Sequence, residues 1–286
     1  MKVFITGGSG YIGQVVIEAL LRHGHEVTAL ARSDRAVGLV TARGAKAVVG
    51  ELTDAAVLRE AAGAADGVLH LGASGERSAE VDRAAADALL DGLDGRGTYV
   101  HTGGVWVYGD TDGVVGEDAV KQPPAITAWR LENEARVLET AARGWHPVVV
   151  MPALVYGRAS GLIETFFVEP ARARGAVGLV GDGSNSTTLV HVDDLAELYV
   201  LALEKAPAGV EYVGVAENRT FAELAPALAA AAGVQEVRAL ANAAEEVGPI
   251  AEAFGLDQRM TSERARRELG WVPKHLDAVR DLANGS

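Results

Sequence analysis

Four glycines fall within the seven residues from Gly7 to Gly13, directly after the apolar run Val3, Phe4 and Ile5 and shortly before the amphipathic run from Val15 to Leu21. The first run reads as a short buried strand and the second as a helix. Gly8, Gly10 and Gly13 satisfy G-x-G-x-x-G, and Gly7, Gly10 and Gly13 satisfy G-x-x-G-x-x-G. A chain turning this sharply from strand to helix, while letting a pyrophosphate reach the helix N–H groups, needs glycine. A Cβ at the central position would block the approach. The pattern lies between a strand and a helix, which is the context that makes it a dinucleotide site.

Strand and helix patterns alternate through the first half. Strands are predicted at 26–30, 46–49, 66–71, 98–102 and 148–151. Helices are predicted at 79–93 and 128–142, and Thr53 or Asp54 is placed to cap another. Such alternation implies βαβ units and an α/β fold built on a Rossmann-type, doubly wound parallel sheet. Beyond residue 156 the rhythm loosens. A turn-rich loop at 181–186 precedes a helix at 191–203, a strand at 212–215 and helices at 222–232, 243–253 and 261–269. The expected organisation is a cofactor lobe of residues 1–156, rejoined by about 187–216. A smaller C-terminal substrate lobe would come from 157–186 and 217–286, with the cleft between the two lobes.

Charge limits the partners. Thirty-nine acidic residues against 26 basic ones give a net charge of −13, which repels phosphate backbones and anionic membranes. The most basic stretch, Arg259 to Arg267, is interrupted by Glu263 and reads as a solvated helix face. A small-molecule substrate is therefore expected, with no nucleic acid and no membrane. The chain has no cysteine, no apolar run of membrane-span length and no room for a leader before the first strand. These features point to a cytoplasmic location. No metal site is expected from residue spacing.

The end of the second strand distinguishes the two nicotinamide dinucleotides. An NAD site usually carries an acid there for the adenosine ribose. Here Leu30-Ala31-Arg32-Ser33 puts a cation and a hydroxyl where a 2′-phosphate needs them, with Arg35 nearby and Asp34 read as the cap of a following helix. The cofactor read from these residues is NADP(H).

Thr6 to Gly13, Gly50 to Asp54, His70 to Ala73, Val107 to Gly109, Pro152 to Gly157, His191 to Asp194 and Arg267 to Pro273 together resemble the extended short-chain dehydrogenase/reductase family of nucleotide-sugar epimerases, dehydratases and their relatives. The resemblance runs nearly end to end. It implies cofactor contacts from Gly7, Gly10, Tyr11, Ile12, Gly13, Glu51, Leu52, Leu71, Gly72, Ala73 and Pro152, beside Arg32 and Ser33. It also implies a homodimer, joined through the Ala-rich helices at 79–93 and 128–142.

The resemblance breaks at the catalytic residues. The family uses a Ser or Thr four residues before the Val-Tyr-Gly tyrosine, then Tyr-x-x-x-Lys on the next helix. Counting back from Tyr108 gives Gly104. Aligning on Pro123 and Glu134 puts Ile126 at the tyrosine and Arg130 at the lysine, and no tyrosine lies between Tyr108 and Tyr156. This is an atypical member by resemblance. Arg130 remains able to contact ribose hydroxyls but is a fixed cation that donates no proton. Tyr108 and Thr102 are the first candidates to replace the lost acid, with His101, Trp129 and His191 behind them. The expected activity is that of an NADP(H)-dependent oxidoreductase or epimerase-like enzyme on a small, apolar organic substrate. The alternatives are a non-redox lyase, isomerase or cyclase, and a non-enzymatic NADP-sensing regulator.

Overall fold

Apolar runs without polar alternation, such as Val148 to Met151, must be buried on both faces, and a parallel sheet covered by helices does that. The computed structural model describes residues 1–75 and 77–285. The chain runs β1 (Lys2–Thr6), α1 (Tyr11–Arg22), β2 (Glu26–Ala31), α2 (Asp34–Thr41), β3 (Lys46–Val49), α3 (Ala55–Gly63), β4 (Gly67–His70), α4 (Ser78–Leu93) and β5 (Thr98–Thr102). A two-residue β6 (Val114–Val115) follows, then α5 (Arg130–Glu139), β7 (His146–Pro152) and β8 (Leu154–Tyr156). After α6 (Gly161–Ile163) and α7 (Glu169–Arg174) come β9 (Ala176–Leu179), β10 (Ser186–His191), α8 (Val192–Lys205), β11 (Val210–Gly214), β12 (Glu217–Thr220) and α9 (Phe221–Ala232).

Seven strands form one parallel sheet in the order β11-β7-β5-β4-β1-β2-β3. The sequence direction reverses between β1 and β4, so the crevice at their C-terminal ends is the topological switch point where such sheets bind ligands. A second apolar cluster, including Leu154, Phe167, Phe221, Leu228 and Phe254, packs around the three-stranded sheet β12-β10-β8. Trp106 packs against both clusters. Strand β10 pairs with β8 in the smaller sheet, and the chain returns to the large sheet through α8 and β11. Among the described residues no helix is long and apolar enough to cross a membrane.

Several local expectations are corrected. The cap of α2 is Ser33, whose Oγ accepts from the Ala36 N–H at 3.3 Å, while Asp34 is the first helical residue. Asp54 stands at the N-cap of α3, but its carboxylate accepts from the Glu51 N–H at 2.8 Å and caps no helix donor. The expected helix at 128–142 begins at Arg130 and tightens into a 3-10 turn from Thr140. The expected helix at 243–253 is broken at Gly248-Pro249, where proline supplies no N–H to continue the ladder. Residues 161–174 are helical around a π-turn at Glu164–Val168, in a stretch whose pattern predicted no element.

Candidate functional site

The glycine loop is shaped by atoms that leave no room for side chains. Gly7 adopts a φ of +71°, and a Cβ there would lie 2.6 Å from the Leu71 carbonyl carbon. A Cβ on Gly13 would lie 2.1 Å from the Gly7 oxygen. The Gly10 N–H donates to the Gly7 carbonyl at 2.9 Å, and Gln14 Nε2 braces the loop through the Ser9 carbonyl at 3.0 Å. Helix α1 starts after Gly10 with no side-chain cap, so its first N–H groups and the positive end of its dipole are left to an anion. The loop after β4 is tied to it, because Thr6 Oγ1 accepts from the Gly72 N–H at 3.0 Å.

A cleft of about 660 Å³ runs from this loop across the sheet ends. Of the predicted cofactor residues, Gly7, Gly10, Tyr11, Ile12, Gly13, Leu71, Gly72, Ala73, Arg130 and Pro152 line it together. Arg32, Ser33, Glu51 and Leu52 do not. They lie at the ends of β2 and β3, where Arg32 and Ser33 are exposed and Arg32 has no ion-pair partner among the described residues. The lining from the expected substrate lobe comes from Gly161, Leu162 and Thr165; none comes from the described residues 217–285. That segment stands one layer back, with Phe254 packed edge-on against the lining Trp106 at 5.9 Å.

At the far end the cleft is bounded by Thr102, Gly104, Ile126, Trp129 and Arg130. Ile126 sits in the turn before α5, where the family helix would carry its tyrosine. Gly104 has an extended backbone, and a Cβ there would meet no atom within 4 Å. Thr102 Oγ1 is 2.9 Å from the Tyr199 hydroxyl, which is fully buried with its pKa raised by that burial. Arg130 Nη1 donates to the Thr102 carbonyl at 3.1 Å, and its guanidinium stacks 4.6 Å from the Trp129 ring centroid. The cation is thus held by two contacts at the cleft wall.

Tyr108 is a correction. It is 1% exposed and does not line the cleft. Its hydroxyl lies 3.0 Å from Glu211 Oε1 and 3.1 Å from the Glu117 carbonyl, and burial together with Glu211 pushes its pKa well up. It is a core phenol. His191 is also structural: its Nδ1 accepts from the Asp193 N–H at 3.2 Å, and its ring stacks on His275 at 3.7 Å. Tyr11 lines the cleft but donates its hydroxyl to the Gly157 carbonyl at 2.7 Å.

Two further sites escaped the sequence reading. Ser78 and Asp82, one helical turn apart on α4, both face the cleft, and that spacing was the available signal. Behind Asp82 lie the buried imidazoles of His70 and His101. Burial opposes the Asp82 charge, yet the His70 and His101 rings and the Asn133 amide hold its carboxyl below the usual range. Burial drives the His101 pKa down to about 3, against the pull of Asp82, so this ring is neutral. Glu134 lies under Gly103, where a Cβ would be 2.7 Å from its Oε1. Neither of its carboxylate oxygens has a hydrogen-bond partner among the described residues, and burial raises its pKa to about 7 despite Lys121 and Arg130.

Comparison with known proteins gives a consistent picture. Residues 3–214 match the NAD dependent epimerase/dehydratase family. An uncharacterized protein of Saccharomyces cerevisiae is 32% identical, covering 99% of this chain and 98% of that one. The 4-hydroxy-2-methyl-3-oxo-4-farnesyl-3,4-dihydroquinoline-1-oxide ketoreductase of Stigmatella aurantiaca is 28% identical, covering 98% and 96%. Among solved structures, the dTDP-glucose 4,6-dehydratase DesIV of Streptomyces venezuelae, with NAD and TYD bound, superposes with a TM-score of 0.84. It is 24% identical and covers 100% of this chain and 95% of that one, a likeness of fold alone.

Proposed function

The chain belongs to the NAD dependent epimerase/dehydratase family, and from that premise we propose that it is an NADP(H)-dependent oxidoreductase that reduces a carbonyl on an apolar organic substrate without a phenolic acid. The observation that carries the reading is a single cleft with an uncapped glycine-loop helix at one end and Thr102 with Arg130 at the other. Its only lining phenol, among the described residues, is Tyr11, already committed to Gly157.

The residues fit a nicotinamide dinucleotide. Gly7 and Gly13 keep the backbone open, and the free N–H groups of α1 suit a pyrophosphate. Arg32 and the remaining hydroxyl proton of Ser33 suit a 2′-phosphate. When bound in its reduced form, this cofactor supplies hydride to a carbonyl carbon. The chain then has to orient the carbonyl and hold the charge that develops on its oxygen. Thr102 donates a hydrogen bond to that oxygen, with Tyr199 fixing the hydroxyl from behind. The guanidinium of Arg130 stabilises the alkoxide-like charge electrostatically. The proton itself comes from water in the cleft. Asp82, held ionised, cannot supply it.

Ile126, Trp129, Trp106, Leu154 and Leu162 give the substrate an apolar wall. A farnesyl-bearing ketone substrate is in the name of the Stigmatella relative, which supports a substrate of that character here. The seven-stranded sheet with its helices would act as the cofactor lobe, β8 and β10 belonging instead to the smaller sheet, and a homodimer would form through α4 and α5. The test is NADPH oxidation on hydrophobic ketones by the parent, Thr102→Val and Arg130→Met, with product identification. The reading fails if no ketone is reduced, or if both variants keep the parental rate.

A further inference from the structure

We propose that His70, Asp82 and His101 form a binding site for a divalent first-row transition metal ion, with Zn²⁺ as the reference ligand. The three residues come from the end of β4, the second turn of α4 and the C-terminal part of β5, and all three are buried. One ligand atom from each lies within 4.8 Å of the others. His70 Nε2 is 3.4 Å from Asp82 Oδ1, and His101 Nε2 is 3.6 Å from Asp82 Oδ2.

Those separations lie beyond the range of about 2.7–3.2 Å for a well-formed N–H···O hydrogen bond. They leave one ion within reach of all three residues. His70 supports this independently: the residue is 1% exposed, and its Nε2 has no hydrogen-bond partner among the described residues. A buried polar nitrogen aimed at a carboxylate it does not reach is costly unless something stands between them.

The surrounding groups are arranged as supports for ligands. His70 Nδ1 is 2.6 Å from Thr6 Oγ1, and His101 Nδ1 is 3.0 Å from the Tyr99 hydroxyl. With Nδ1–H donating outward, both Nε2 lone pairs point toward Asp82, which is how metal-bound histidines are usually held. Asn133 Nδ2 donates to Asp82 Oδ2 at 2.8 Å and orients the carboxylate. Two imidazole nitrogens and one carboxylate suit Zn²⁺, Co²⁺ or Fe²⁺ and leave room for a further ligand. Asp82 also lines the cleft, which gives the ion a route in. A second group of similar composition, His191, Asp193 and His275, lacks this arrangement, since Arg158 holds Asp193 at 2.7 Å and His191 Nδ1 accepts from the Asp193 N–H.

The test is calorimetric titration of untagged, chelator-stripped protein with ZnCl₂ in the absence of nucleotide, so it does not depend on the cofactor reading. The expected result is one equivalent bound. Tyr99→Phe should weaken binding by roughly 10–100-fold, and Asp82→Asn and His101→Gln should weaken it more. His275→Gln should leave it unchanged. Co²⁺ added to the parent should give the intense visible absorption of a four-coordinate ion, a readout that needs no variant to fold. No stoichiometric Zn²⁺ binding, binding that survives both Asp82→Asn and His101→Gln, or a weak octahedral Co²⁺ spectrum would each overturn the proposal.

Discussion

At one end of the cleft a Cβ on Gly13 would sit 2.1 Å from a carbonyl oxygen; at the other, a Cβ on Gly104 would meet nothing within 4 Å. The glycine-loop end is fixed by sterics: a Cβ on Gly7 would meet the Leu71 and Gly72 backbone, and one on Gly13 the Gly7 carbonyl. The chemistry end is not. A Cβ is unobstructed at Gly104, so glycine there is no requirement of close packing. The fold therefore constrains where a dinucleotide can lie far more tightly than which groups face it.

The sharpest way to break this contrast is to add one methyl group at each end. Gly13→Ala should destabilise the protein by about 1–3 kcal/mol or more, as overpacking does, and abolish nucleotide binding. Gly104→Ala should change stability by no more than about 0.5 kcal/mol. Thermal melts and nucleotide titrations report both, and equal responses would erase the distinction.

Next in size is the electrostatic role at the open end. Arg130→Met should lower kcat by about 10²–10³, the effect of losing one charge-stabilising donor. Tyr108→Phe should leave kcat near the parental value and cost about 1 kcal/mol of stability, because its hydroxyl serves Glu117 and Glu211. A large fall in kcat for Tyr108→Phe would return catalysis to the core phenol.

At the fixed end, Arg32→Ala should weaken NADPH binding by about tenfold or more and spare NADH, since a charged hydrogen bond contributes about 1.5–3 kcal/mol. Equal parental affinity for the two cofactors would remove the 2′-phosphate contact. The smallest effect concerns Glu134, beneath Gly103 at the open end. Its folded pKa of about 7 stands above the reference value of 4.5. Across that interval the folded state binds more protons than the unfolded one, so its stabilising contribution is full below about pH 4.5 and lost as pH rises through about 7. Glu134→Gln should therefore gain on the order of 1 kcal/mol over the parent at pH 8, measured by denaturant unfolding, with no gain at pH 4.

What could be read in the sequence follows the same division. The large sheet was legible because its strands are continuous apolar runs and its glycines have a single steric explanation. The start of α2 was not, because Ser33 and Asp34 are equally good caps by type and only geometry shows which side-chain oxygen reaches the Ala36 N–H. Tyr108 was misjudged because a Val-Tyr-Gly motif does not reveal that the ring turns inward. The strands at 114–115 and 154–156 are too short to carry a period. His70, Asp82 and His101 belong to three elements with no metal-motif spacing, so only the parallel register of β4 and β5, which aligns His70 with His101, brings them together.

The most direct measurement is the steady-state rate of NADPH oxidation with an apolar ketone by the parent and by Ile126→Tyr. The expected result is turnover by the parent and no gain from the new phenol, because Arg130 does not poise it as a lysine would. An inactive parent and an active Ile126→Tyr variant would contradict reduction without a phenolic acid and identify the chain as a standard enzyme that has lost its tyrosine.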